Sequence, residues 1–283
     1  MNQGYMLNGK FVDRKTLDID PLEPCFAHGH GLFETLRVQD GRAMFLVGHV
    51  ERMRTTAAVL DMEFPTDLAR VAKDMAELLD RRGLRNARVK LYLLGRADDR
   101  IDVLLTAEPI EALVLPGPGI AVGLADARFQ GATALPGLKT MNYMTNRLAA
   151  KEGQARGLDE VLFAHSDGTL TEGSRTTIFM LRSNELVTPD LSLAILPGIT
   201  RQVVLEVATR QGLGIREELF TIDDLAGADE AFLTGSVSGI RPVVSVEGRP
   251  LPVAPGPRTL AIARAYGARI EEEPLLSRDA AAG

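Results

Sequence analysis

The chain is poor in cysteine and lysine and lacks several familiar catalytic signatures. Its single cysteine, Cys25, excludes an internal disulfide and a Cys-x-x-Cys site. Cys25 reads as a small buried apolar group rather than a nucleophile. No stretch approaches the ~20 apolar residues that span a membrane. The opening MNQGYMLNGKFVD has no apolar signal-peptide core, so the expectation is a cytoplasmic protein with no membrane partner. His28 and His30 form an HxH pair, with His49 and His165 far off in sequence. Two ligands leave a catalytic zinc underliganded and no HExxH exists, so no metal is expected. The absence of G-x-S-x-G argues against a serine hydrolase. There is also no G-x-x-x-x-G-K-[ST] and no G-x-G-x-x-G after a strand. A net charge of -6 and a pI near 5.4 argue against nucleic acid as the main ligand. Six lysines stand against 26 arginines, which shortens the roll of amines available for chemistry.

What is present describes an ordinary folded chain. Of its 283 residues 45% are apolar and 25% charged, which suits one or two domains with a large core. Asn8-Gly9 and Asp40-Gly41, each between apolar runs, predict tight hairpins. Helices are expected near 48–60 and 66–82, the second capped by Thr66 or Asp67. Strands follow near 87–94 and 101–106. ALVLPGPGI, at 112–120, continues neither a helix nor a central strand and marks a connector. Beyond it come strand-like IAVGLA, a helix near 144–157, strand-like EVLFAH, and turns at Ser166-Asp167-Gly168 and around Asn184. A helix after Pro197-Gly198, the strand AFLT and a helix near 257–270 complete the pattern. The mixture predicts two α/β or α+β domains. We place a small N-terminal domain at 1–113, a connector at 114–121 and a larger domain at 122–283.

Four features suggest chemistry. Leu196-Pro197-Gly198 opens a helix and leaves the amides of Ile199 and Thr200 free to bind an anion. The loop Thr234-Gly235-Ser236-Val237-Ser238-Gly239 offers further amides and hydroxyls after a strand. Lys139 follows Leu135-Pro136-Gly137 and sits between apolar Leu138 and Met141. Burial there would favour the neutral amine that attacks an aldehyde. The same residues also suit a lysine whose stem crosses apolar surface to water. Glu172, in GTLTEGSR, is either a surface acid or a carboxylate for a ring nitrogen.

FETLR, HVER, LKTMNYMTNRLA, GTLTEGSRTTIF, ILPGITR and LTGSVSGIRPV, in that order, resemble the class IV (fold-type IV) enzymes that use pyridoxal 5'-phosphate (PLP). These include branched-chain aminotransferases, D-amino acid aminotransferases and aminodeoxychorismate lyases, and the likeness spans about 5–270. It implies a larger domain with a mixed, barrel-like sheet and helices, and a homodimer. Lys139 resembles the catalytic lysine that forms the Schiff base with PLP and shuttles a proton. Glu172 resembles the acid facing the pyridine nitrogen. Arg52, Ile199, Thr200 and Ser236 resemble the phosphate-binding groups. Tyr143 resembles the tyrosine directed at the cofactor ring, although it lies four residues after the lysine rather than five. Thr177 stands where the family often has Asn, and Gly239 where an acid is common. Phe33 and Val237 are expected at the substrate. Arg96 and Arg100, on the LLGRADDRID loop, are candidates for its carboxylate. The implied activity is amino transfer between a branched-chain-type L- or D-amino acid and a 2-oxo acid, since FET is closer to the transaminases than the FTT of the lyases. KTMN is closer to the D-amino acid enzymes and lyases, so 4-amino-4-deoxychorismate lyase is the alternative, and a non-catalytic protein with the same fold is the third reading.

Overall fold

Turn chemistry sets the first elements. The computed structural model describes residues 4–17, 20–129 and 137–277. In it, β1 (Gly4–Leu7) and β2 (Lys10–Asp13) meet at Asn8-Gly9. Asn8 and Gly9 have φ of 48° and 73°, the left-handed pair a two-residue hairpin needs. After the short α1 (Pro24–Ala27), Asp40-Gly41 repeats the device at φ 50° and 82° between β3 (Gly31–Gln39) and β4 (Arg42–Ala43). Next come α2 (Leu46–Val59) and α3 (Leu68–Arg82), then β5 (Ala87–Gly95) and β6 (Ile101–Pro109). Asp67 caps α3 by accepting from the Arg70 amide, and Gly83, at φ 64°, ends it.

The chain groups into two compact units. The first takes the described residues of 1–112 together with 139–142 and those of 272–283. Its sheet has the order β2-β1-β6-β5-β3-β4. Leu36, Val38, Val89, Leu91, Leu93 and Leu105 pack against Val50 and Met53 of α2 and Val71, Met75 and Leu78 of α3 in one apolar cluster. Two segments that a division along the sequence gives to the second half join this unit. An antiparallel bridge ties Thr140 to Leu32, and another ties Leu275 to Arg42. Leu135 and Pro136, which lead into Lys139, lie outside the described residues.

The second unit takes the described residues of 113–138 and 143–271. Its elements are β7 (Ile120–Leu124), α4 (Met144–Ala155), β8 (Glu160–Ala164), β9 (Leu170–Gly173), β10 (Thr177–Arg182), β11 (Glu185–Pro189), α5 (Ile199–Arg210), β12 (Gly214–Glu218), α6 (Ile222–Ala226), β13 (Glu230–Gly235), β14 (Gly239–Val246), β15 (Arg249–Pro250) and α7 (Pro257–Glu271). The sheet runs β12-β11-β10-β13-β14-β7-β8-β9, with β15 beside β14. β7 pairs in parallel with both β14 and β8. The end strand β9 comes back into contact with β10 and β11, so the sheet curls like part of a barrel. Period-2 alternation divides its core. Ile178, Met180, Ala231 and Leu233 join one cluster with Val122, Leu162 and Val243. On the alternate positions Phe179 and Phe232 stack at 5.1 Å between centroids. No described helix is long and apolar enough to cross a membrane.

Candidate active site

The sequence-derived candidates fall into two sets, one in each unit. In the first unit, Lys139 sits on a piece of chain added to the edge of β3. Phe33 N–H donates to the Lys139 carbonyl at 3.1 Å, and Met141 N–H donates to Gly31 O at 2.9 Å. That edge is open because β4 pairs only with Val38 and Gln39. The backbone of Lys139 is thus fixed by strand pairing, which side-chain packing alone could not do as rigidly. Lys139 is half-buried, and its Nζ lies 4.8 Å from the centroid of the buried Phe33 ring. Lys90 Nζ, from β5, lies 5.0 Å from the same centroid and 5.6 Å from that of Tyr92. An aromatic face attracts either ammonium by about 0.5–2 kcal/mol. No sequence motif marks Lys90; alternation on β5 puts it on the face opposite the core-facing Val89 and Leu91.

Behind β3 lies a buried ionic cluster. Glu34 shares the core-facing side of its strand with Leu32 and Leu36 and is 1% exposed. Arg52 of α2 grips it with a two-pronged contact, Nε to Oε1 at 2.8 Å and a terminal nitrogen to Oε2 at 2.7 Å. His49, one turn earlier on α2, sits with Nδ1 2.7 Å from Oε2. Burial pushes the Glu34 carboxyl up, but the charges of Arg52 and His49 and their hydrogen bonds prevail and hold it at about 2. Burial lowers His49 from its ordinary 6.5, against the pull of Glu34. Nδ1 carries a proton, since the ionised carboxylate it faces can only accept. A charged residue on an apolar stripe was the visible signal for Glu34; its partners were not visible.

The β5–β6 turn carries the two proposed carboxylate clamps. Arg96 lies 3.2 Å from Asp102 and 3.5 Å from Glu23. Arg100, largely exposed, pairs with Asp98 at 2.5 Å. Both arginines are engaged by acids of their own unit, which tempers the charge they present to a substrate.

In the second unit, α5 begins at Gly198 with no side chain capping its first amides, and Ile199 and Thr200 are buried. An added Cβ at Gly198 would lie 3.0 Å from Thr177 Oγ1, so a side chain there would crowd the close approach of strand and helix start. Ser236, Val237 and Ser238 form the turn joining β13 and β14, closed by the Gly235–Gly239 pair. Thr234 Oγ1 is buried and has no hydrogen-bond partner among the described residues. Glu172, on β9, is half-buried and accepts from Leu196 N–H at 3.3 Å. Tyr143 stands just before the first residue of α4, with no side-chain cap, and donates its hydroxyl to the Ser174 carbonyl at 3.0 Å. Among the described residues no group of three or more His, Cys, Asp or Glu could hold a metal.

Uncapped amides at a helix start, hydroxyls on a neighbouring turn and an orphaned threonine donor suit a phosphate. A half-buried amine on fixed backbone suits attack on a carbonyl. Each set is of a kind that an enzyme with an aldehyde cofactor carried on a phosphate would use, and the family follows from comparison. Residues 31–246 match the family model for amino-transferase class IV, and the chain belongs to that family. The family's cofactor is PLP, so the fold class and cofactor expected from the sequence hold. A Methanocaldococcus jannaschii protein that carries the name of a branched-chain-amino-acid aminotransferase is 31% identical over 86% of this chain and 88% of its own. An aminodeoxychorismate lyase of Bacillus subtilis is 27% identical over 85% of this chain and 86% of its own. A D-alanine aminotransferase of Listeria monocytogenes is 27% identical over 94% and 95%. Among solved structures, the branched-chain aminotransferase of Thermoproteus uzoniensis with norvaline superposes with a TM-score of 0.87, at 27% identity and 96% of each chain. The T.th. branched-chain amino acid aminotransferase complexed with N-(5'-phosphopyridoxyl)-L-glutamate also gives 0.87, at 26% identity and 96% of each chain.

Proposed function

We propose that the protein moves an amino group between a branched-chain-type amino acid and a 2-oxo acid, with Lys139 as the catalytic amine. The observation that carries this reading is the strand-paired backbone of Lys139, with its Nζ against the Phe33 ring. Lys139 Nζ would hold the cofactor aldehyde, and once freed by the incoming amino acid would take the proton from substrate Cα as a general base. When bound, PLP supplies the electron sink for the charge left on that carbon. The Glu172 carboxylate would hold the proton on the pyridine nitrogen. Arg52, the amides of Ile199 and Thr200, and the Ser236 hydroxyl would hold the phosphate, where charge and N–H donors act together. Tyr143 would face the cofactor ring. Phe33 and Val237 would line the substrate, with Arg96 or Arg100 as its carboxylate partner. We place the enzyme in the cytoplasm as a homodimer, and a monomeric mass in light scattering would count against that assembly.

The lyase reading draws on the Bacillus subtilis relative and on KTMN. One experiment separates them. The visible spectrum of the purified enzyme is recorded with single L- and D-amino acids and then with a 2-oxo acid. Bleaching that a 2-oxo acid reverses supports amino transfer and names the donor's hand. A band that ignores all amino acids but turns over aminodeoxychorismate to 4-aminobenzoate and pyruvate identifies the lyase.

A further inference from the structure

Ser174 lies two residues beyond Glu172 and is fully buried, with each of its polar groups engaged. Its N–H donates to Val161 O at 3.1 Å. Its hydroxyl donates to Glu160 Oε1 at 2.5 Å. Its carbonyl accepts from Tyr143 Oη at 3.0 Å and from Asn146 Nδ2 at 2.9 Å. Glu160, at 6% exposure on β8, also accepts from the Val161 amide at 3.0 Å and from Thr176 Oγ1 at 3.3 Å. The turn 173–176 is closed by Gly173 N–H donating to Thr176 O at 2.7 Å. It is thereby bolted to β8 on one side and to the first turn of α4 on the other.

A buried carboxylate is a costly way to hold a turn, since an apolar side chain of similar volume often gives equal or greater stability. What the network adds is fixed geometry. It anchors the end of the strand that carries Glu172, and it commits the Tyr143 hydroxyl proton to Ser174, leaving Tyr143 only lone pairs to offer a ligand.

We infer that Glu160 and Asn146 are positioning residues, which through Ser174 set the pose of Glu172 and Tyr143 and so keep the cofactor's ring nitrogen protonated. This rests on the reading of Glu172 as the acid for that nitrogen. The test uses the full-length enzyme loaded with PLP carrying 15N in the ring, and compares wild type with Glu160→Gln, Asn146→Ala and Glu172→Gln. The 15N shift of the ring reads protonation directly, and kcat and KM are measured alongside. The expected result is a protonated signal in wild type that moves toward the neutral form in Glu160→Gln and Asn146→Ala. With it, kcat should fall by ~10–100-fold, the range found for residues that orient the ligands of a metal, while KM changes far less. Asn146 is half-buried, so its variant decides the matter even if Glu160→Gln fails to fold. If Glu172→Gln moves the signal but Asn146→Ala and any folded Glu160→Gln do not, the inference is overturned. If Glu172→Gln itself leaves the signal unchanged, the reading of Glu172 falls first and takes the inference with it.

Discussion

Replacing Glu34 with Gln removes one charge from the first unit and almost no volume, and the structure sets how the cost should vary with pH. The folded protein holds this carboxyl at about 2 against an ordinary 4.5. At about 1.4 kcal/mol per unit, the ionised group contributes about 3 kcal/mol to folding at neutral pH. That agrees with the roughly 3–5 kcal/mol lost when one partner of a buried ion pair is deleted. The unfolded chain takes up its proton first as the pH falls. The contribution is therefore complete above about 4.5 and drains away between there and about 2. Glu34→Gln should be less stable than its parent by about 3 kcal/mol at pH 7, and the gap should narrow by up to about 1.4 kcal/mol per pH unit below 4.5. His49 is also lowered from its ordinary 6.5, so the comparison is repeated in a His49→Asn background, where losing the charge and hydrogen bond of His49 should make the gap smaller than in the parent but leave its narrowing below 4.5. The chain has no tryptophan, so urea unfolding of the cofactor-free protein is followed by circular dichroism from pH 7 to 3.5. A gap that stays constant over that range would refute the assignment of an ionised Glu34 held by Arg52.

Gly198→Ala places a methyl 3.0 Å from Thr177 Oγ1, and overpacking of this kind costs about 1–3 kcal/mol. If the start of α5 holds the phosphate, spectrophotometric titration should show PLP binding weakened by roughly tenfold or more, with circular dichroism unchanged. Asp67→Ala removes the cap that accepts from the Arg70 amide. It should lower stability by about 0.5–2 kcal/mol in urea unfolding and leave the kinetics unchanged.

Several elements were legible from the sequence because their determinants are local. Asn8-Gly9 and Asp40-Gly41 carry the backbone preferences of the hairpins they form. The cap at Asp67 and the uncapped start after Gly198 concern amides within four residues of the signal. The helix expected at 48–60 is α2, Leu46–Val59, displaced only at its ends, where fraying and capping compete. The order of six motifs was enough to suggest the family and its cofactor, since each motif preserves a local piece of chemistry.

Other features depended on chain segments far apart, which no local signal could pair. Alternation along β3 puts Glu34 among core residues, but only the packing of α2 on that sheet brings His49 and Arg52 to it. Nothing within LKTMN tells that this segment would pair with Gly31–Phe33, because an open sheet edge accepts any extended backbone that reaches it. Ser174 reads as one more small residue in a turn, and it becomes a junction only where β8 and α4 meet it. The sequence by itself determined turns, caps, helix lengths and the chemical kinds of group available. Tertiary structure decided which of them meet and which are buried, because hydrogen-bond partners and desolvation are set by packing rather than by neighbours along the chain.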